Sequence, residues 1–242
     1  MMGQDRGQGQ DDRRRGSDQE STANATWSRM LAGNRRFAEG KAEHPWQDRG
    51  TRESLLDRQQ PDTAVLACSD SRVPPEIIFD QGLGDLFTVR TAGQMLDDAV
   101  IASLEYAVTD LQVSLLVVMG HEGCGAVASS IEELGRLARE TAAHNDGGDV
   151  PDSDSLWEDE AIAQALAQSG STILQSVGAS VLQAKAAGLH TASEIEQVHV
   201  AASIEALVTR SPIIQEALSR QELQLVGARY QMSTGKVEVL SF

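Results

Sequence analysis

Two short apolar runs, each breaking abruptly into a polar turn, constrain this chain more than any other feature. The first reads Thr63-Ala-Val-Leu-Ala-Cys68 and breaks at Ser69-Asp70-Ser71-Arg72. The second ends Leu115-Leu-Val-Val-Met119 and breaks at Gly120-His121-Glu122-Gly123-Cys124-Gly125. Unbroken aliphatic runs of this length between turns fit strands buried on both faces, as in a parallel sheet covered by helices. Cys68 and Cys124 are the only two cysteines. If the two strands are neighbours, Cys68, His121 and Cys124 converge at the carboxyl ends of the sheet. Two thiolates and an imidazole are three protein ligands for zinc with a fourth position open, which marks a catalytic site rather than a closed structural one. The plain alternative is two buried free cysteines beside a loop histidine.

The order of elements supports an α/β fold. Thr63–Cys68 reads as a strand, Pro75–Phe79 as a short helix and Leu86–Arg90 as a strand. Asp97 and Asp98 can cap a helix over Ala99–Asp110, and Ser114–Met119 is the next strand, followed by a helix over Cys124–Glu140. Helices are expected over roughly Glu158–Ala187 and Ala192–Thr209, with a short one from Pro212. Leu223–Tyr230 and Val237–Leu240 flank a Ser233-Thr-Gly235 turn and read as a hairpin. The expected architecture is a central, mostly parallel sheet flanked by helices, with a C-terminal antiparallel hairpin on one edge. Residues 1–24 are rich in Gly, Gln, Asp and Arg and read as a disordered tail, leaving 25–242 as a single catalytic domain whose order starts near Thr26. Trp27, Met30, Leu31 and Phe37 recur at helical spacing. Residues 141–156 form an acidic loop with no assigned role.

Composition narrows the function classes. A formal charge of −16 argues against nucleic-acid binding, which relies on cationic neutralisation of phosphates. No apolar stretch approaches the roughly 18–20 residues needed to cross a bilayer, so no membrane association is expected. The first residues contain no apolar h-region of a secretory signal, and two cysteines make no disulfide framework. A cytoplasmic, reducing location is the expectation.

Cys68-x-Asp70-x-Arg72 followed by His121-x-x-Cys124 resembles the β-class carbonic anhydrases, and actinobacterial members most of all. The likeness runs from about Trp27 to Leu240. It includes Val73-Pro-Pro-Glu-Ile-Ile-Phe-Asp-Gln-Gly-Leu-Gly-Asp-Leu-Phe-Thr-Val-Arg-Thr-Ala-Gly93 and the ending Val226-Gly-Ala-Arg-Tyr230. The resemblance implies one zinc per chain on Cys68, His121 and Cys124, and reversible hydration of carbon dioxide to bicarbonate and a proton by zinc-hydroxide attack. It implies that Arg72 keeps the catalytic Asp70 ionised and turned away from the metal. It also implies substrate contacts from the Gln59 amide, the Gly125 backbone N–H, and the aromatic walls Phe87 and Tyr106, partly across a subunit interface. A homodimer or tetramer follows, with the N-terminal helix lying across a partner subunit. The other histidines, His44, His144, His190 and His199, receive no role.

One departure from the pattern bears on regulation. Some relatives have an inhibitory bicarbonate site that needs a tryptophan three residues before the first metal cysteine, where this chain has Val65. Two other functions share the motifs: hydrolysis of carbonyl sulfide or carbon disulfide on the same scaffold, and a zinc-bound assembly module without catalysis.

Overall fold

The computed structural model describes residues 8–144 and 160–241. Its centre is a five-stranded sheet in the order β2-β1-β3-β4-β5. The strands are β1 (Thr63–Cys68), β2 (Leu86–Thr91), β3 (Leu115–His121), β4 (Gln224–Gln231) and β5 (Lys236–Val239). Pairings β1–β2, β1–β3 and β3–β4 are parallel, and only β4–β5 is antiparallel. The expected mostly parallel sheet with a C-terminal edge hairpin is therefore the fold observed.

Side-chain alternation divides the core in two. Val65 and Ala67 of β1 and Leu115, Val117 and Met119 of β3 face one side. There they pack with α1 (Gln8–Ala38), α5 (Gly125–His144), α6 (Glu160–Ala167) and α7 (Thr172–Ala186). Ala64, Leu66, Leu116 and Val118 face the other side, against α4 (Asp98–Thr109) and α9 (Pro212–Ser219). The long α8 (Ala192–Arg210) gives Ile195 to the first layer and Val200 and Leu207 to the second, so it wraps one end of the sheet. Among the described residues no helix is long and apolar enough to cross a membrane.

Several local expectations need correction. Helix α1 spans Gln8–Ala38, so its first residues precede Thr26. Gln, Glu and Arg are good helix formers and extend the turn that Trp27 and Met30 anchor, against the weaker propensity of the Asp and Gly residues among them. The single helix expected over Glu158–Ala187 is two helices. Ser171 caps α7 by accepting from the Leu174 N–H, which stops α6 at Ala167. The short α2 (Arg49–Ser54) and α3 (Pro75–Ile78) are the remaining α-helices among the described residues. Helix α5 runs on to His144, so the start of the acidic 141–156 segment is helical, and residues 145–156 lie outside the described residues.

Within one chain α1 already packs part of its apolar face: Met30 is fully buried, Trp27 stacks edge-on against Phe79 with centroids 5.9 Å apart, and Phe37, half-buried, lies 6.4 Å from Tyr230. Asn34 fixes this packing by donating to the Ile78 and Gly235 carbonyls and accepting from the Val237 N–H.

Asp80 anchors the segment that follows α1. It is buried and accepts from Arg36 Nε at 2.7 Å and from the N–H groups of Glu43 and His44. Burial alone would raise the pKa of its carboxyl, but the two N–H groups and Arg36 together hold it below the ordinary value. A depressed folded-state pKa stabilises above the unfolded value, and that contribution disappears as pH falls through the folded value. Asp80→Asn should therefore cost about 2–3 kcal/mol at neutral pH, the scale of charge-assisted hydrogen bonds. The gap from wild type should narrow below about pH 4. Urea midpoints at pH 7 and pH 3 measure both effects; an equal gap at the two values would contradict this assignment.

Candidate metal centre

The sheet brings the two cysteine turns together. Ala67 pairs with Met119 across β1 and β3, so Cys68 and His121 both lie at the carboxyl edge, and Cys124 precedes the first turn of α5. All three residues are buried, and their candidate ligand atoms lie within 4.8 Å of one another.

The cluster fits a zinc ion. His121 Nδ1 is 3.0 Å from the Glu122 carbonyl oxygen, and a carbonyl only accepts, so Nδ1 carries the proton. Nε2 is then the lone-pair nitrogen. It is buried without a hydrogen-bond partner, an expensive arrangement unless a metal takes the lone pair. The sulfurs point the same way. The Cys68 thiol is pushed down to about 4, first by the hydrogen bond from Cys124, and further by His121 and the N–H groups of Asp70 and Gly93. The Cys124 thiol is pushed up by that same bond and by burial, against the backbone N–H groups of Val127 and Ala126 at the start of α5. Left to themselves, the two sulfurs cannot both ionise; a divalent cation between them removes that conflict.

The turn after Cys68 carries a bidentate pair. Arg72 Nε donates to Asp70 Oδ1 at 2.9 Å, Arg72 Nη2 donates to Oδ2 at 2.7 Å, and the Arg72 backbone N–H donates to Oδ1. Arg72, ahead of all other causes, holds the Asp70 carboxyl well below the usual carboxylate range. Arg90 buttresses the turn from β2 by donating to the Cys68 and Asp70 carbonyls. Gly125 is exposed, and a Cβ there would meet nothing within 4 Å, so its backbone is open to a small molecule.

The remaining sequence-derived candidates lie elsewhere. Phe87 pairs with Ala64, whereas Thr91 pairs with Cys68. Four residues at about 3.3 Å each put Phe87 roughly 13 Å down the sheet from the metal ligands. Tyr106 packs on Phe87 with centroids 6.1 Å apart and is 44 % exposed. Gln59 is exposed and precedes Thr63, at the amino end of β1. One chain thus separates Gln59, Phe87 and Tyr106 from Cys68, His121 and Cys124.

Sequence reasoning missed the supports behind the ligands. Glu196 Oε1 accepts the Gly123 N–H at 2.7 Å and the Cys124 N–H at 3.2 Å, while Oε2 pairs with buried Arg229. His199 Nε2 donates to the Gly93 carbonyl at 2.6 Å. The signal that could have found them is two titratable residues one turn apart on the stripe of α8 that also carries Ile195, Val200 and Leu207.

The comparisons with known proteins agree with this geometry. The family described as carbonic anhydrase matches residues 63–237. A carbonic anhydrase of Mycolicibacterium smegmatis is 39 % identical over 90 % of this chain and 93 % of its own length. Carbonic anhydrase 2 of Mycobacterium tuberculosis is 39 % identical over 88 % of this chain and 90 % of its own. Among solved structures, the β-carbonic anhydrase CcaA superposes with a TM-score of 0.58 at 24 % identity, covering 89 % of this chain and 95 % of that one. The β-carbonic anhydrase CafA of Aspergillus fumigatus gives 0.52 at 25 % identity, covering 89 % and 90 %. These relatives do not favour a hydrolase of carbonyl sulfide or carbon disulfide, or a module without catalysis. The chain therefore belongs to the carbonic anhydrase family, in its β class, whose reaction is the zinc-dependent, reversible hydration of carbon dioxide to bicarbonate and a proton.

Proposed function

We propose that this reaction runs at a site whose metal ligands are Cys68, His121 and Cys124 and whose substrate walls come from a second copy of the chain. The buried cluster of two sulfurs and a bare imidazole nitrogen supports the ligand set. When bound there, zinc supplies the Lewis acidity that makes water a nucleophile near neutral pH. The protein's own groups do the rest. Asp70, held ionised by Arg72, can only accept a hydrogen bond. It therefore orients a protonated oxygen in front of the cluster and disfavours an unprotonated anion. The Gly125 N–H and the Gln59 amide are donors for the oxygens of carbon dioxide and of the bicarbonate it becomes. Phe87 and Tyr106 give an apolar wall suited to a molecule without a net dipole. Position 65 holds a valine where the inhibitory bicarbonate site of some relatives needs a tryptophan, so bicarbonate inhibition is expected only by competition at the metal.

The single observation that carries the oligomeric reading is the separation of Gln59, Phe87 and Tyr106 from the metal cluster within one chain. Strand β2 is also a sheet edge, half-buried along its whole length. We place the enzyme in the cytoplasm as a homodimer or a higher even-numbered assembly, a location that keeps both thiols reduced.

Mixed assemblies test this directly. Cys124→Ala and Gln59→Ala should each be nearly inactive alone. Co-refolded one to one, they should regain about a quarter of wild-type activity, because half of randomly paired dimers are mixed and each holds one complete site. No recovery, or an active species of monomer mass by light scattering, would contradict the shared site.

A further inference from the structure

Both loops of the metal centre lean on one face of α8. A Cβ at Gly120 would come 2.6 Å from Val200 Cγ2, so the helix lies directly against the end of β3. Next to that contact, Glu196 gathers the Gly123 and Cys124 amides, and its other oxygen is held by Arg229 Nε and Nη2 at 3.0 and 2.7 Å. One turn on, His199 reaches the opposite loop. Its Nε2 must be the protonated nitrogen, since its partner is the Gly93 carbonyl, and Ser180 Oγ donates to Nδ1 at 2.9 Å. Burial keeps the imidazole neutral by lowering its pKa. Gly93 sits at φ +61, where a Cβ would come 2.9 Å from Ala126, so only glycine fits this turn. The turn aims the Gly93 N–H at Cys68 Sγ, 3.3 Å away.

We propose that Glu196 and His199 are positioning residues of the metal centre: His199 fixes the Gly93 amide on Cys68 Sγ, and Glu196 fixes the Gly123 and Cys124 amides, the two peptide groups that flank the Gly123 α-carbon. An N–H donor on a thiolate draws electron density from sulfur and sets the direction of its remaining lone pairs. The pair thereby governs how tightly the centre holds zinc and how strongly Cys68 donates to it. Neither residue touches substrate. The inference rests on the metal ligands proposed above; zinc content of the wild-type protein tests those, and zinc release tests the positioning.

The experiment follows zinc release from holoenzyme to a chromophoric chelator and the thiolate-to-cobalt charge-transfer band of cobalt-substituted protein. His199→Phe should release zinc about 10–100-fold faster, the usual cost of losing an outer-shell partner, and shift the band to longer wavelength. His199→Gln, whose Nε2 can still donate to the Gly93 carbonyl, should return both readouts toward wild type. Glu196→Gln leaves one oxygen for Arg229 and two amides, and should also release zinc faster. Leu104→Ala, a cavity in the opposite core layer, should leave release and band unchanged. Wild-type release in both His199→Phe and Glu196→Gln, or equal acceleration in Leu104→Ala, would overturn the proposal. If His199→Phe does not fold, wild-type protein loaded with cadmium-113 decides. A scalar coupling between the metal and the Gly93 amide proton is expected, and its absence would overturn the relay.

Discussion

Arg72→Ala should give a folded protein whose carbon dioxide hydration at neutral pH falls by about 10²-fold or more, the scale on which a misplaced catalytic group costs rate. The Arg72 side chain is 57 % exposed, and an ion pair in that setting contributes only about 0–1 kcal/mol to stability. Its effect on function is of another order. Three hydrogen bonds from Arg72 hold both oxygens of Asp70, and they are what keeps this carboxylate turned away from the cysteines. Without the guanidinium, only the backbone N–H of residue 72 still holds Oδ1, and the Oδ2 side of Asp70, two residues from Cys68, is released to turn toward the cluster and take the position meant for substrate. Stopped-flow hydration alongside thermal melts checks both halves. Wild-type rates in a variant that melts normally would reduce the pair to a loop salt bridge.

Loss of a ligand should be more severe. Cys68→Ala and Cys124→Ala should each abolish activity and leave protein that no longer retains zinc through dialysis. The drop in affinity should exceed the about 10–100-fold typical of an outer-shell change. The side-chain volume lost is small, so the apoproteins should remain folded. The two replacements also differ in what they leave behind. Without Cys124, Cys68 still has the Asp70 and Gly93 N–H groups to hold a thiolate. Without Cys68, the Asp70 and Gly93 N–H groups lose their sulfur acceptor. Metal analysis that finds full zinc in both variants would refute the ligand set.

The centre of the fold was legible because its determinants are local. The β1 and β3 runs are apolar without a break from Ala64 to Cys68 and from Leu115 to Met119, which fits strands covered on both faces, and the polar turns after them mark the functional edge. Asp97 announced the start of α4, whose cap it supplies. What was not legible depends on partners far away in sequence. Glu196 reaches Gly123 across 73 positions and His199 reaches Gly93 across 106. A helix period shows that both residues face inward, but not what they meet there. The fate of Trp27 and Phe37 was hidden for the same reason. An apolar stripe demands a cover, and only the structure shows that Phe79 and Tyr230 of the same chain provide part of it. Gln59, Phe87 and Tyr106 pose the converse case: their residue types suit a carbon dioxide pocket, yet a single chain leaves them at the far end of the sheet.

The most direct test of the whole account is a crystal structure of the zinc-loaded protein near pH 7, with anomalous data at the zinc edge. The account predicts one strong peak per chain among Cys68 Sγ, His121 Nε2 and Cys124 Sγ. Asp70 should remain paired with Arg72, and Gln59, Phe87 and Tyr106 of a second subunit should face the same cavity. No peak at those atoms, or an Asp70 oxygen at about 2.0–2.2 Å from the metal, a carboxylate ligand distance, with its Arg72 pairing broken, would contradict it.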